Sequence, residues 1–265
     1  MNLNRIIAGA IIGAGLLAAG GAHAVPTTTI DGVTVPVGIL PNGNQIQSGI
    51  LDETLITGSG QTLTGVGLVN VIDQGLTPTW TTGQNGVELA FYFTNYVSNA
   101  SGFPTITFTG GNAAFYVLPA GTNISGGATL AADIATIQTG TLFLSVKAAP
   151  EDGTGDTLVS TITNGASIGN YSAGDGNGFL DVTGGAAAGA FATRTFTNAF
   201  DTNGLSDLSL TSDFTVGSTV AGAGVSGSAT LKANAVPEPF SLSVIGFGLA
   251  ALAAFRHRKH QSVIA

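Results

Sequence analysis

Two stretches share the spacing D-x-N-G-x-x-D: Asp175-Gly-Asn177-Gly-Phe-Leu-Asp181 and Asp201-Thr-Asn203-Gly-Leu-Ser-Asp207. Carboxylates and amides at alternate positions of a tight loop supply oxygen ligands to a hard cation, and calcium takes roughly six to eight of them. One expectation is therefore a calcium site drawn from Asp175, Asn177, Asp181, Asp201, Asn203 and Asp207. The same residue types also build Asx-turns at strand ends, with glycine at positive φ. Neither stretch carries the distal bidentate glutamate of an EF-hand, so the spacing leaves both readings open. Glu151, Asp152 and Asp156, in the run EDGTGD, form a third acidic loop of the same kind.

Other chemistry is restricted by what the chain lacks. It contains no cysteine, and its three histidines are His23, His257 and His260. Residues 25–236 thus hold neither thiol nor imidazole, which excludes Cys–His and Ser–His–Asp nucleophiles there, as well as zinc sites that need those ligands. A carboxylate glycosidase needs no histidine. Glu53, Glu88 and Glu151 could each pair with an aspartate for that purpose, although no spacing marks a pair. Trp80, Tyr92, Tyr96 and Tyr116 offer either a sugar-stacking platform or ordinary core aromatics. Asn99, Asn123 and Asn170 begin N-x-S acceptor triplets.

Charge narrows the partners further. Residues 25–236 carry fourteen of the chain's fifteen acidic residues and only Lys147, Arg194 and Lys232 as bases, a balance of −11. With no basic patch to neutralise phosphates, nucleic acid is excluded as a partner. An acidic, sparsely charged surface rich in Thr, Ser, Asn and Gly suits a hydrated matrix, in which divalent cations can bridge such surfaces.

The elements that must position these residues read as strands. Val87, Leu89, Phe91 and Phe93 fall on one face of a run, and Ile106 and Phe108 alternate with threonines. Leu142, Leu144 and Val146 fall on one side of a third run, and Leu208, Leu210 and Phe214 continue the pattern. Period-two alternation of β-branched and aromatic residues between Gly/Asn/Asp turns predicts an all-β body. The expected architecture is an antiparallel β-sandwich over 87–232, with a β-helix-like fold as the alternative. Residues 25–86 have dispersed apolar residues and read as a Gly/Thr-rich arm or looser strands. Ala128 to Ile137 is the one place where a short helical turn is expected.

Both ends differ from this body. Residues 1–24 have a single early positive charge at Arg5, an apolar segment, and the small-residue site Ala22-His23-Ala24. That is the composition of a secretory signal peptide cleaved after Ala24. At the other end, 233–239 is a linker holding Pro237, Glu238 and Pro239, which the prolines keep extended. Residues 240–255 are an uncharged run, roughly 24 Å long as helix, read as a transmembrane helix. Residues 256–265 contain Arg256, Arg258 and Lys259. These bases stay on the cytoplasmic side and so orient the run, leaving the body outside.

The order of Pro-Glu-Pro, apolar run and basic end, VPEPFSLSVIGFGLAALAAFRHRKH, closely resembles the PEP-CTERM sorting signal of exopolysaccharide-producing bacteria. The resemblance covers about the last 30 residues. It implies processing near Pro237–Pro239 by exosortase, a membrane-embedded cysteine enzyme, after signal peptidase has acted at the other end. The inner membrane would then be only a transient tether. Within the body, ITFTGGNAAFYV, GTLFLSV, GNGFLDVTGGAA and GLSDLSLTSDFTV are similar to flocculation-associated PEP-CTERM proteins. That likeness implies a secreted factor of cell aggregation in an exopolysaccharide matrix.

Three functions follow as expectations. The first is a structural or adhesive, non-enzymatic protein of the cell surface or extracellular matrix, acting in biofilm or floc formation. The second is a carbohydrate-binding module of that matrix, and the third a carboxylate-based glycan hydrolase.

Overall fold

A strand pairs on both edges, and the question for an all-β chain is where its first and last edges go. The computed structural model describes residues 27–36, 44–75, 77–124, 129–201 and 204–233. Ala22, Ala24, Asn203, Pro237, Glu238, Pro239, Arg256, Arg258 and Lys259 lie outside the described residues, as do the expected signal peptide over 1–24 and the expected transmembrane run and basic end over 240–265.

The strands are β1 (Thr27–Ile30), β2 (Val33–Pro36), β3 (Asn44–Glu53), β4 (Thr62–Gln74), β5 (Thr77–Thr81), β6 (Val87–Gly102) and β7 (Thr105–Pro119). After helix α1 (Leu130–Ile137) come β8 (Thr141–Ala149), β9 (Leu158–Ser167) and β10 (Asn170–Gly184). Helix α2 (Ala188–Phe191) precedes β11 (Phe196–Thr197), β12 (Leu205–Ser206), β13 (Leu208–Val216) and β14 (Val225–Ala233). Every pairing between these strands is antiparallel.

Pairing runs β14–β3–β4–β6–β7–β8–β10–β13, and β13 pairs back onto β14. The sheet therefore closes into an eight-lane barrel. The expected all-β class is right, and the expected sandwich is corrected to a barrel. The reason is that β14 zips onto β3, so the chain's last described strand covers its early one and leaves no edge there. Residues 44–74 are consequently full lanes of the barrel, where the sequence had suggested an arm or looser strands.

One lane is shared by two strands. On β10, Phe179 faces Ala149 of β8 and the adjacent Gly178 faces Leu158 of β9. β8 and β9 are thus one strand in space, with residues 150–157 looped out. This is where the acidic run EDGTGD sits.

Residues directly opposite each other in antiparallel strands share a face, so the pairings trace the interior. Phe91 faces Gly67 and Phe115, and Phe93 faces Gly65 and Ala113. A Cβ on Gly65 would run into the Phe93 ring and approach the Asp52 carbonyl oxygen to 2.7 Å. Glycine is needed here so that the ring can lie flat across the neighbouring strand. Phe91 and Phe115 pack with ring centroids 5.0 Å apart.

Most of the expected core is buried: Leu89, Phe91, Ile106, Phe108, Leu144, Val146, Leu208 and Phe214. Leu142 is a correction, being 38% exposed, while Phe143 beside it is fully buried. A register shift opposite Phe115 and Tyr116 breaks the alternation of β8. Phe143 then packs edge-on against Phe191 of α2.

The barrel end that holds the start of β3 is covered by the β1–β2 hairpin, whose Val33 and Val35 join Ile72 and Trp80 in one cluster. Asn44 Nδ2–H donates to the Pro36 carbonyl at 3.3 Å and Asn85 Nδ2–H to that of Gly32 at 2.8 Å. Helix α1 forms where a helical turn was expected. Thr129 Oγ1 accepts the Ala132 N–H at 3.2 Å as its cap, and Leu130 and Ile137 pack with Val66, Ala90 and Leu118 on the outside of the barrel.

Candidate binding site inside the barrel

Barrels of eight strands leave an interior just wide enough for side chains to fill or for one small ligand. Here large rings over glycines fill most of it, and two cavities of about 70 Å³ and 30 Å³ remain. They adjoin, sharing Glu53, Leu63, Leu158 and Ser212 as lining residues. The larger is walled mainly by aliphatic and aromatic side chains.

Glu53 is the only acid on these walls. A bulge in β3 puts it there. The register against β4 shifts around Ser48 and Ile50, so Ile46, Ser48, Leu51 and Glu53 line the interior while Ile50 turns outward, 38% exposed. Removal from bulk water pushes the Glu53 carboxyl up to about 8. No hydrogen bond to this carboxyl forms among the described residues. The Tyr96 hydroxyl and Ser212 Oγ, also on the cavity wall, are likewise without a hydrogen-bond partner there, and burial pushes the Tyr96 phenol well up. Tyr171 is different: its hydroxyl donates to the Ile56 carbonyl at 2.9 Å. Its acidity is lowered chiefly by burial and further by the nearby charge of Glu53, with the Ile56 hydrogen bond opposing. The three bases among the described residues, Lys147, Arg194 and Lys232, are exposed to solvent.

The sequence-predicted cation ligands lie elsewhere. Asp175, Asn177 and Asp181 belong to β10, a continuous strand and not a loop. Their side chains follow the outer face at alternate positions, about 6.6 Å apart per step, which spreads the trio along the barrel and prevents it from encircling one ion. Asp175 faces Asp213 on β13. Partial desolvation raises its carboxyl, and the hydrogen bond and charge of Asp213 raise it further. Asn177 faces Thr211.

Asp201 and Asp207 do come within electrostatic reach of Asp181. Burial raises the Asp181 carboxyl first, then the charges of Asp201 and Asp207, against the opposing effect of Lys147 and a backbone hydrogen bond from Asp207. Asp207 itself is a fastener: Oδ2 accepts the Val182 N–H at 2.9 Å and Oδ1 the Arg194 N–H at 2.8 Å. Among the described residues no three His, Cys, Asp or Glu side chains are placed to hold a metal ion. In the 150–157 loop, Asp152 Oδ1 accepts from the Thr154 N–H (2.8 Å), the Thr154 hydroxyl (2.7 Å) and the Asp156 N–H (3.2 Å), which is an Asx-turn. These donors hold the Asp152 carboxyl down, whereas burial and the Asp152 charge push Glu151 up to about 7.

The three glutamates expected as glycosidase acids are therefore dispersed. Glu53 is inside the barrel, and Glu151 is in the 150–157 loop. Glu88 is buried beneath the segment after β7, where Oε2 accepts the Gly121 N–H at 3.0 Å. The aromatic residues are divided too. Trp80 is 1% exposed and belongs to the core, and Tyr96 is buried inside, so neither can stack on a sugar. Tyr92 and Tyr116 are half-buried on the outer face, with ring centroids 6.1 Å apart and planes at 19°.

No protein-family model, no curated protein and no solved structure matches the chain.

Proposed function

We propose that the protein is an exported, exosortase-processed component of the cell surface or extracellular matrix, with a structural or adhesive role in exopolysaccharide, biofilm or floc formation. The observation that carries this reading is the bracketing of one acidic β body by a secretory leader and the sorting-signal order of Pro237-Glu238-Pro239, apolar run and basic end. The barrel gives physical support. Its main sheet is closed edge to edge, so the body can persist at high local concentration without pairing onto neighbouring strands. Its outer face presents Thr, Ser, Asn and Asp side chains such as Thr161, Asp175, Asp213 and Ser228 in adjacent lanes. Such a face is readily hydrated and bridged by divalent cations, including calcium, without a dedicated cage.

Mass spectrometry of both termini of the extracellular form tests the reading. The expected form begins after Ala24 and ends near Pro237–Pro239. Glu238→Ala should leave an uncut, membrane-bound species, because the recognised carboxylate is lost while the apolar run is unchanged. Release of that variant at the normal rate would reduce the tail to a simple anchor.

A carbohydrate-binding role is the second reading, favoured by the paired Tyr92 and Tyr116 rings on the outer face. Glycan-array binding lost in Tyr116→Ala, with unchanged melting, would establish it.

A further inference from the structure

The inner face of the barrel holds three polar groups with no hydrogen-bond partner among the described residues: the Glu53 carboxyl, the Ser212 hydroxyl and the Tyr96 hydroxyl. All three line the larger cavity, and Glu53 and Ser212 also line the smaller one. Unpaired polar groups in an apolar setting cost free energy, and the cost is recovered when a bound molecule or water satisfies them. No cationic side chain lines either cavity; the titratable groups on the walls are Glu53 of β3, Tyr96 of β6 and Tyr171 of β10. An anionic guest would meet the Glu53 carboxyl with no counter-charge. An ammonium group would supply both the missing charge and the missing donors.

Size sets the other limit. A dry cavity of about 150 Å³ accepts benzene, and a water molecule's share of the liquid is about 30 Å³. Cavities of about 70 and 30 Å³ thus match a guest of roughly four heavy atoms. Glu53 is the last residue of β3, beside the 54–61 connection to β4. At this end the Tyr171–Ile56 hydrogen bond (2.9 Å) ties β10 to that connection, and Thr54, Ile56 and Tyr171 line the smaller cavity. Entry from this end requires the connection to shift, opening the Tyr171–Ile56 bond while the bonds of Gly58 and Gly60 to Ser98 hold its far side.

We propose that the barrel interior is a binding site for a small aliphatic amine, with Glu53 pairing its ammonium group, Ser212 and Tyr96 adding hydrogen bonds, and the apolar wall holding its short chain. This site is independent of the sorting and matrix reading and stands or falls separately from it. Binding carries a proton signature. Below about pH 8 the Glu53 carboxyl is protonated, whereas an alkylammonium keeps its charge up to about pH 10. Forming the ion pair then releases one proton, so affinity should rise about tenfold per pH unit up to pH 8 and level off above it.

The test is a thermal and calorimetric titration of the full chain with n-propylammonium, propionate and n-propanol, at equal ionic strength held with sodium chloride. Propylammonium should raise the melting temperature saturably, propionate should leave it unchanged, and propanol should bind at least tenfold more weakly. Glu53→Gln, close in shape, should lose at least tenfold in propylammonium affinity together with the pH slope. Ala113→Val, which fills the larger cavity from β7, should abolish binding even if the glutamine variant does not fold. Equal shifts from propylammonium and propionate overturn the proposal. So does an unchanged affinity and pH slope in Glu53→Gln, or no shift from any probe, which would mean that the cavities hold water only.

Discussion

The inner and outer faces of the barrel carry their carboxylates under opposite conditions. Inside, Glu53 is the one acid on the cavity walls, with no base beside it and no hydrogen bond to its carboxyl among the described residues, and the carboxyl moves up to about 8. Outside, acids stand directly opposite other groups: Asp175 opposite Asp213, and Asp181 opposite Lys147. Asp207 and Asp152 go further and collect backbone N–H donors, two for Asp207 and two for Asp152. The contrast shows what lets a chain with three bases among residues 25–236 tolerate fourteen acids there. Water and backbone donors on the outside do the work that arginine and lysine do elsewhere. The interior supplies neither a base nor a backbone donor to Glu53, and its carboxyl there holds its proton up to about pH 8.

The strongest way to break this comparison is to remove the interior acid. The folded state holds the Glu53 proton up to about pH 8, while in the unfolded chain the group titrates near 4.5. Between those values the folded state binds more protons than the unfolded one, so stability falls as pH rises, at up to about 1.4 kcal/mol per unit. Glu53→Gln should lack this component. Urea unfolding at half-unit steps from pH 4.5 to 8.5 should show the two proteins diverging across the window, with the variant the more stable above pH 7. Parallel curves would mean that Glu53 reaches solvent.

On the outer side the largest effect belongs to Asp207, which is 2% exposed. Asp207→Ala leaves the Val182 and Arg194 N–H groups without their acceptor, at a cost of about 3 kcal/mol for two charge-assisted hydrogen bonds. Asp207→Asn keeps one acceptor oxygen and should lose about half of that. Chemical denaturation of the two variants measures both.

A glycine sharpens the inner half of the comparison. Gly65→Ala places a methyl group against the Phe93 ring and the Asp52 carbonyl, and overpacking of this kind costs about 1–3 kcal/mol. Combining it with Phe93→Leu should recover part of the loss, a coupling that a double-mutant cycle would detect.

The smallest effect is expected at the exposed carboxylate pair. Asp213→Asn removes the neighbouring charge and carboxyl–carboxyl hydrogen bond that raise Asp175. The Asp175 pKa should fall toward the ordinary range, read by NMR titration of its side-chain carboxyl. The melting temperature should not change resolvably, because the pair lies on the outer face, where exposed charge interactions contribute little.

The two D-x-N-G-x-x-D stretches show how far residue spacing can be trusted. One copy became the middle of β10, whereas in the other Leu205 and Ser206 form the short β12 and Asp207 falls between β12 and β13. Spacing is the same in both, but backbone conformation is set by the strands that pair on either side. β10 is flanked by β8 and β9 on one edge and β13 on the other, so its Asp and Asn residues are drawn into a ladder. In the EDGTGD loop no such neighbour competes, and the Asx-turn chemistry expected of Asp152 forms.

Local patterns were sufficient for the all-β class, for most of the strands after residue 87 and for the helical turn of α1, because alternation and a threonine cap act within a few residues of themselves. They also marked Glu53, but as one of three acids without a place. Its position inside the barrel depends on the bulge around Ser48–Ile50, which reverses the phase of β3 halfway along. Barrel closure depends on pairing between β14 and β3, strands separated by most of the described chain. An alternating strand looks the same in a sandwich and in a barrel, since each buries one face. Only long-range pairing decides whether the two edges of the sheet stay open or meet, and with that whether an interior exists for Glu53 to face.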